Sequence, residues 1–273
     1  MADQPDVKSL AQEIKSAQDE ARQIAPFTSR VPGFDLPTAY EVAHRVHEAR
    51  MAEGARPVGR KIGFTNPDMW AQYGVGEPAW AHVYDRTLRH IVAEGATCRI
   101  GRCTEPKIEP EIVLHFAVAP RAGADPAEIL GCVDWVAHGF EVVQCHFPGW
   151  KFQVADVVAD WVLHAILLVG EPVPVAQLGP DPVAALENFT LALSCDREER
   201  EVGKGANVLG GPLKAIAYLL DVLAKQPQAE PLQAGELVTT GTITTAHAIR
   251  PGETWRTRLK GIALPGLTVQ FVD

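Results

Sequence analysis

The chain has 273 residues, 47% hydrophobic and 22% charged, an ordinary globular composition with enough apolar residues to bury a substantial core. Its formal net charge of −9, with no strong basic run, argues against a nucleic-acid partner, because counterion release needs clustered Lys and Arg. Cys98, Cys103, Cys132, Cys145 and Cys195 lack paired CxxC spacing, so neither a disulfide framework nor a structural zinc site is expected, and a reducing cytoplasm suits the chain.

The opening MADQPDVKSLAQEIKSAQDEA has neither the basic start nor the apolar core of a secretory signal. Val7, Leu10, Ala11, Ile14, Ala17, Ala21 and Ile24 instead recur at helical spacing. After the Pro/Gly-punctuated loop PFTSRVPGFDLP, a second helix is expected from about Pro37, through Tyr40, Ala43, Val46 and His47, to about Gly54.

From about Gly59 the texture changes to short β-prone runs between Gly/Pro turns: GRKIGF, HVYDRTLRHIV, IEPEIVLHF, GFEVVQCHF, FTLALSC, ELVTTGTITT and LTVQFV. The longest apolar stretch read here, Trp161 to Gly170, is too short to span a bilayer and contains His164. One further helix is expected after Gly210-Gly211, with Pro212 at its start and Ile216, Leu219, Leu220 and Leu223 on its inner face. No fixed-period repeat or low-complexity segment interrupts this order. The expected fold is α+β: a helical N-terminal region, residues 1–58, leading into a mixed β-rich body, residues 59–273, as one integrated domain.

In Ile108-Glu109-Pro110-Glu111-Ile112-Val113, an extended backbone projects Glu109 and Glu111 from one side. Two such carboxylates repel unless a cation lies near, and an all-oxygen pair suits Mg²⁺ or Mn²⁺. Pro110, with no backbone donor, suggests an edge or strand-start position. Glu141, in His138-Gly139-Phe140-Glu141-Val142-Val143, is flanked by apolar β-formers and needs a partner if buried. A solvated sheet face would show the same pattern, and ExE alone does not separate the two. Lys61, between Gly59 and Gly63, is either an exposed strand lysine or a cleft residue that steadies an enolate, or moves a proton once its pKa is lowered.

At these residues the chain resembles the 2-oxopent-4-enoate (2-keto-4-pentenoate) hydratase and 4-oxalocrotonate decarboxylase family of the fumarylacetoacetate hydrolase superfamily. The likeness runs in order through FTSRVPGFDLPTAYEVAHRV, GRKIGFTN, YGVGEP, KIEPEIVLHF, HGFEVVQ, DVVADW, GKGANVLGGPLKAIAYLLDVLA, GELVTTGTIT and RPGE, nearly the whole chain. The resemblance implies that Glu109, Glu111 and Glu141 ligate Mg²⁺ or Mn²⁺ and that Lys61 contacts the substrate or its enolate. It implies substrate-binding roles for Thr65 in GRKIGFTN and for Thr242 and Thr244 in TGTIT, and it makes pocket-lining Asp160 in VADW a catalytic candidate beside Lys61. By their sequence alone, Asp160 suits a turn cap equally well, and the two threonines are ordinary strand residues. GKGANVLGG matches neither phosphate-binding pattern.

One departure matters. Typical hydratases of the family carry an Asp, thought to handle protons, in a PDFG-like stretch after GVxEP; here Glu77-Pro78-Ala79-Trp80-Ala81-His82 puts Ala79 at that position with Trp80 beside it. The resemblance implies a cytoplasmic lyase of 2-oxo acids in aromatic catabolism, working as a homo-oligomer or in complex with a pathway enzyme. Hydration of a 2-hydroxydienoate is the first reading. Decarboxylation of a 4-oxalocrotonate-like diacid is the alternative, made more credible by Ala79. Acylpyruvate C–C hydrolysis is less favoured, because His44 and His47 fall on a packing helix rather than a mobile segment. A metal-binding subunit without turnover is the reading from outside enzymology. Trp80, Phe147, Trp150 and Trp161 are candidates for the pocket around the substrate's tail, although core packing is the better reading for each.

Overall fold

The computed structural model describes residues 5–67, 70, 74–93 and 95–273; Tyr73 of the YGVGEP motif lies outside them. Helix α1 (Val7–Glu20) is capped by the Asp6 carboxylate, which accepts from Ser9 N, and buries Leu10, Ala11, Ile14 and Ala17 along one stripe. Helix α2 (Leu36–Ala52) begins as the sequence suggests, with Pro37 in its first turn and Asp35 accepting from Thr38 N at 3.0 Å. Both helices pack into an apolar cluster that also holds Ala79, Ala81, Val158 and Val162, so α1 and α2 share a core with the β-rich body.

Two sheets make up the rest. The nine-stranded sheet runs in the order β2 (Ala79–Tyr84), β1 (Pro57–Gly63), β11 (Leu237–Thr239), β5 (Lys107–Phe116), β6 (Val133–Val143), β7 (His164–Val169) and β3 (Leu88–His90). The short strands β12 (His247–Ala248) and β8 (Val173–Pro174) add to β5 and β6. The five-stranded sheet runs β10 (Glu198–Lys204), β9 (Thr190–Cys195), β13 (Thr254–Lys260), β14 (Thr268–Val272) and β4 (Ala96–Arg99). Buried His138 of β6 links the two, one ring nitrogen 2.8 Å from Thr257 Oγ1 on β13 and the other 2.9 Å from the Glu111 carbonyl.

Helices are not confined to the N-terminal region. Short helices α3 (Pro126–Gly131), α4 (Val154–Ala159) and α5 (Pro182–Asn188) punctuate the body, too brief for an apolar period to show in the sequence. Helix α6 (Pro212–Lys225) is the expected late helix, with Ile216, Leu219, Leu220 and Leu223 buried. Among the described residues Gly205–Lys225, rather than Trp161 to Gly170, is the stretch long and apolar enough to cross a membrane, but 61% of its window is buried inside the protein.

Two expected strands also change. HVYDRTLRHIV breaks at a turn, so that β2 pairs with β1 while β3 pairs with β7. ELVTTGTITT stays extended in the sheet only to Thr239, because Gly241 takes φ +97° and turns the chain away.

Candidate metal centre

Strand register builds the site. In the antiparallel pair of β5 and β6, Glu109 lies opposite Glu141, and Glu111 opposite Gly139. On the other side of β5, Thr239 of β11 lies opposite Val113, and Lys61 of β1 pairs with Thr239. Residues directly opposite share a face, and a period of two keeps Glu109, Glu111 and Val113 together. Lys61, Thr239 and the three glutamates therefore emerge on one side of the sheet. Each glutamate offers an oxygen lying within 4.8 Å of the other two, the one such acidic cluster among the described residues.

Pro110 is not at an edge, as its missing donor suggested. It lies in a central strand, opposite Phe140 of β6. β11 covers residues 113–115 of β5 and β12 covers 107–108, leaving 109–112 facing the loop after β11. Pro110 O accepts from Ile243 N of that loop at 2.9 Å, so its missing N–H also faces the loop, where no ladder partner needs it.

The same loop supports Glu111. Glu111 Oε2 accepts from Thr239 Oγ1 and, at 2.8 Å, from Gly241 N. Gly241 is irreplaceable here, because a Cβ would stand 2.0 Å from Thr65 Oγ1 in addition to the cost of the positive φ. Gly241→Ala is expected to destabilise the protein by at least about 1–3 kcal/mol, the usual cost of a disallowed backbone, and to weaken metal binding by displacing the donor to Glu111. Unchanged melting and unchanged metal affinity would refute this.

Glu141 is held differently. Its Oε1 accepts from His164 Nδ1 at 2.6 Å, and its Oε2 lies 3.1 Å from Lys61 Nζ. Lys61 also donates to Val162 O at 2.9 Å. That carbonyl is aimed by an unusual turn in which Trp161, Val162 and Leu163 take φ of 58°, 47° and 61°. Three successive left-handed residues without glycine, one of them β-branched, cost of order 1–3 kcal/mol each, strain of a kind that persists only where the surroundings impose it.

Burial raises Glu109 to about 7, with Glu141 adding to the rise and Lys61 opposing it. Burial, then the charges of Glu141 and Glu109, lift Glu111 well above the ordinary range. Burial also works against an ionised Glu141, but the Lys61 charge and the His164 contact more than offset it and hold that carboxyl low. Lys61 moves up despite its burial, because all three carboxylates favour its charge. It stands as a fixed ammonium between Glu141 and the Val162 carbonyl.

The donor set fits a hard divalent cation. Glu111 Oε1 is buried with no hydrogen-bond partner, and Glu109 is the most solvent-accessible of the three, leaving a side for ligand entry. Two ionised carboxylates with oxygens no more than 4.8 Å apart repel by at least roughly 3–4 kcal/mol at an effective dielectric of about 20. One ammonium does not neutralise three such groups. An all-oxygen set of this kind suits Mg²⁺ or Mn²⁺.

The remaining sequence candidates divide. Ala79 lies opposite Gly63, and Ala81 opposite Lys61, so both share the Lys61 face and form an apolar wall with Val162. Trp80 lies opposite Ile62 and projects from the other face, where its Nε1 donates to Gln226 and Arg60 stacks on its ring at 4.8 Å. Asp160 closes α4, its carboxylate contacting buried His146 at 2.8 and 2.9 Å and accepting from Gln18 at 3.2 Å. Thr242 and Thr244 lie in the loop after β11 rather than in a strand, and their hydroxyls donate to Thr244 O and Thr245 O. His47 stacks on His82 at 4.0 Å and half-buried His44 lies beside Glu48, so both rings are engaged outside the Glu109, Glu111 and Glu141 cluster. Phe147, Trp150 and Trp161 pack in the cluster shared with the N-terminal helices. Sequence reasoning missed Thr239, Gly241, Val162 and His164 as parts of the site. The only local signal was a histidine heading the apolar run HAILLV.

This arrangement defines a class. Residues 66–270 match the fumarylacetoacetate (FAA) hydrolase C-terminal family model, and the chain belongs to that family. Within it, the chain is 29% identical to a 2-keto-4-pentenoate hydratase of Burkholderia vietnamiensis (strain G4 / LMG 22486), over 96% of this chain and 97% of that one. It is 30% identical to a 4-oxalocrotonate decarboxylase of a Pseudomonas species, over 91% and 94%. The structure of 4-oxalocrotonate decarboxylase from Pseudomonas putida G7, complexed with magnesium and adipate, superposes with a TM-score of 0.88 at 26% identity and 97% coverage of both chains. Fumarylpyruvate hydrolase from Pseudomonas aeruginosa, at 16% identity and a TM-score of 0.63, shares the fold alone.

Proposed function

We propose that the protein is a cytoplasmic, divalent-metal-dependent lyase of 2-hydroxydienoate or 2-oxo-enoate acids, with Mg²⁺ or Mn²⁺ held by Glu109, Glu111 and Glu141. The observation that carries this is the convergence of three carboxylates, two of them with a buried oxygen that accepts no hydrogen bond, beside a buried lysine. When bound, the cation supplies Lewis-acid polarisation of a chelating carboxylate and 2-oxo pair. Lys61, fixed between Glu141 and Val162 O, sets a positive charge against the enolate that builds on the substrate. Gly241, with Thr65 packed against it, keeps Glu111 in place, and the wall of Ala79, Ala81 and Val162 limits water around the conjugated chain. Residues 1–58 and 59–273 act as one unit, and we infer a homo-oligomer that works alone or with a pathway enzyme.

Hydration is the first reading: protonation of the dienol to a 2-oxo-enoate, then addition of water at the distal alkene carbon to give a 4-hydroxy-2-oxo acid. Decarboxylation is the second, and a specific observation favours it. Ala79 is buried in the apolar wall, and losing carbon dioxide requires no base to activate water. The test is incubation with 2-hydroxypenta-2,4-dienoate and with 4-oxalocrotonate, each with Mg²⁺ and with chelator, following ultraviolet absorbance and carbon dioxide. Metal-dependent loss of dienoate supports hydration, and carbon dioxide release supports decarboxylation; inactivity on both substrates refutes the lyase reading. Ala79→Asp is expected to raise hydration by about 10²-fold, the lower range of acid–base assistance. No gain would remove the missing acid as the feature that limits water addition.

A further inference from the structure

We propose that His164 is a positioning residue for Glu141, fixing that carboxylate to one-oxygen ligation; the inference rests on the metal reading of the site. His164 and Glu141 are both fully buried, and the imidazole is held at both nitrogens. Nδ1 contacts Glu141 Oε1 at 2.6 Å, while Nε2 lies 2.9 Å from Thr87 Oγ1, which itself reaches Tyr84 O at 3.1 Å. With both ring nitrogens engaged, the imidazole has no freedom to swing off the carboxylate. Oε1 is thereby committed to His164, and Oε2, beside Lys61, is the oxygen left to face the cation.

The strained turn explains how one segment reaches both partners. Left-handed Trp161–Leu163 presents Val162 O to Lys61 and delivers His164 to Glu141 at the first position of β7. Two points of one segment, two residues apart, therefore fix the lysine and the glutamate. Outer partners of this kind set ligand orientation, and losing one typically weakens metal affinity about 10–100-fold.

The test is calorimetric titration of the apo protein with Mn²⁺, which needs no substrate, for wild type, His164→Ala, His164→Asn and Thr87→Val, with melting of each apo form. His164→Ala is expected to bind Mn²⁺ about 10–100-fold more weakly. His164→Asn, whose side-chain amide can donate from near the Nδ1 position, is expected to recover most of the loss, and Thr87→Val to fall between. Wild-type affinity in His164→Ala overturns the inference. Equal weakness in His164→Ala and His164→Asn with an unaffected Thr87→Val overturns it too, because it would mark a packing role. If His164→Ala fails to fold, His164→Asn and Thr87→Val decide: near-wild-type affinity in the first with weakening in the second supports the role, and any other pattern refutes it. A wild-type protein that binds no Mn²⁺ overturns the metal reading itself, and this inference with it.

Discussion

Glu111→Gln is expected to abolish metal-dependent turnover while making the apo protein more stable near neutral pH. The loss follows from removing one of the three proposed ligand carboxylates, and affinity for Mn²⁺ should fall by at least about 100-fold, the most that losing an outer partner costs. The gain follows from burial and the two neighbouring carboxylates, which disfavour the ionised form of Glu111 in the folded state. The unfolded chain therefore releases this proton near the ordinary 4.5, while the folded apo protein keeps it to much higher pH. Above that value the unfolded state binds fewer protons, so apo stability falls as pH rises, by up to about 1.4 kcal/mol per pH unit. Glutamine does not titrate. The variant's advantage should grow from about pH 4.5 upward and vanish in acid, and with saturating Mn²⁺ the order should reverse. Melting curves across pH, with metal and with chelator, read all of this; an apo protein whose stability is indifferent to the substitution would sink the crowded-carboxylate account.

Lys61→Ala should be the most damaging substitution for the apo protein. It leaves Glu141, ionised and fully buried, with only His164 beside it, and breaking a buried pair in this way costs about 3–5 kcal/mol. Added Mn²⁺ should restore part of that stability, because a cation on the glutamates replaces the missing positive charge. Turnover should stay down by about 10²–10³-fold even at saturating metal, the usual effect of deleting one group that stabilises a developing oxyanion. The separation of kcat from KM is the check. A defect confined to KM would make Lys61 an anchor for the substrate carboxylate in the ground state.

Parts of the site were readable from the chain and parts were not, for reasons visible in individual residues. Glu109 and Glu111 lie two apart in one strand, so local geometry alone put them on one face. Glu141 joins them through pairing with Glu109, a contact across 32 residues of chain; its apolar flanks showed that it needed a partner, but only the family resemblance implied which. Ala79 and Trp80 are adjacent, and the two-residue period of β2 sends them to opposite faces, so they cannot both face Lys61. Pro110 read as an edge residue because the sequence cannot reveal that the strand beside it is interrupted there.

What the sequence determined by itself was local. Apolar recurrence placed α1, α2 and α6, with Pro37 and Pro212 marking the starts of the last two, glycine and proline marked turns, and the spacing of Glu109 and Glu111 set up the carboxylate pair. The tertiary structure decided which strands became neighbours and in what register. That choice brought Lys61 and Glu141 to the pair, turned Gly241 toward Glu111, and aimed Val162 and His164 through a left-handed turn that no propensity favours. Register depends on how whole faces bury against the rest of the molecule, an energy summed over distant residues, so no single segment carries it.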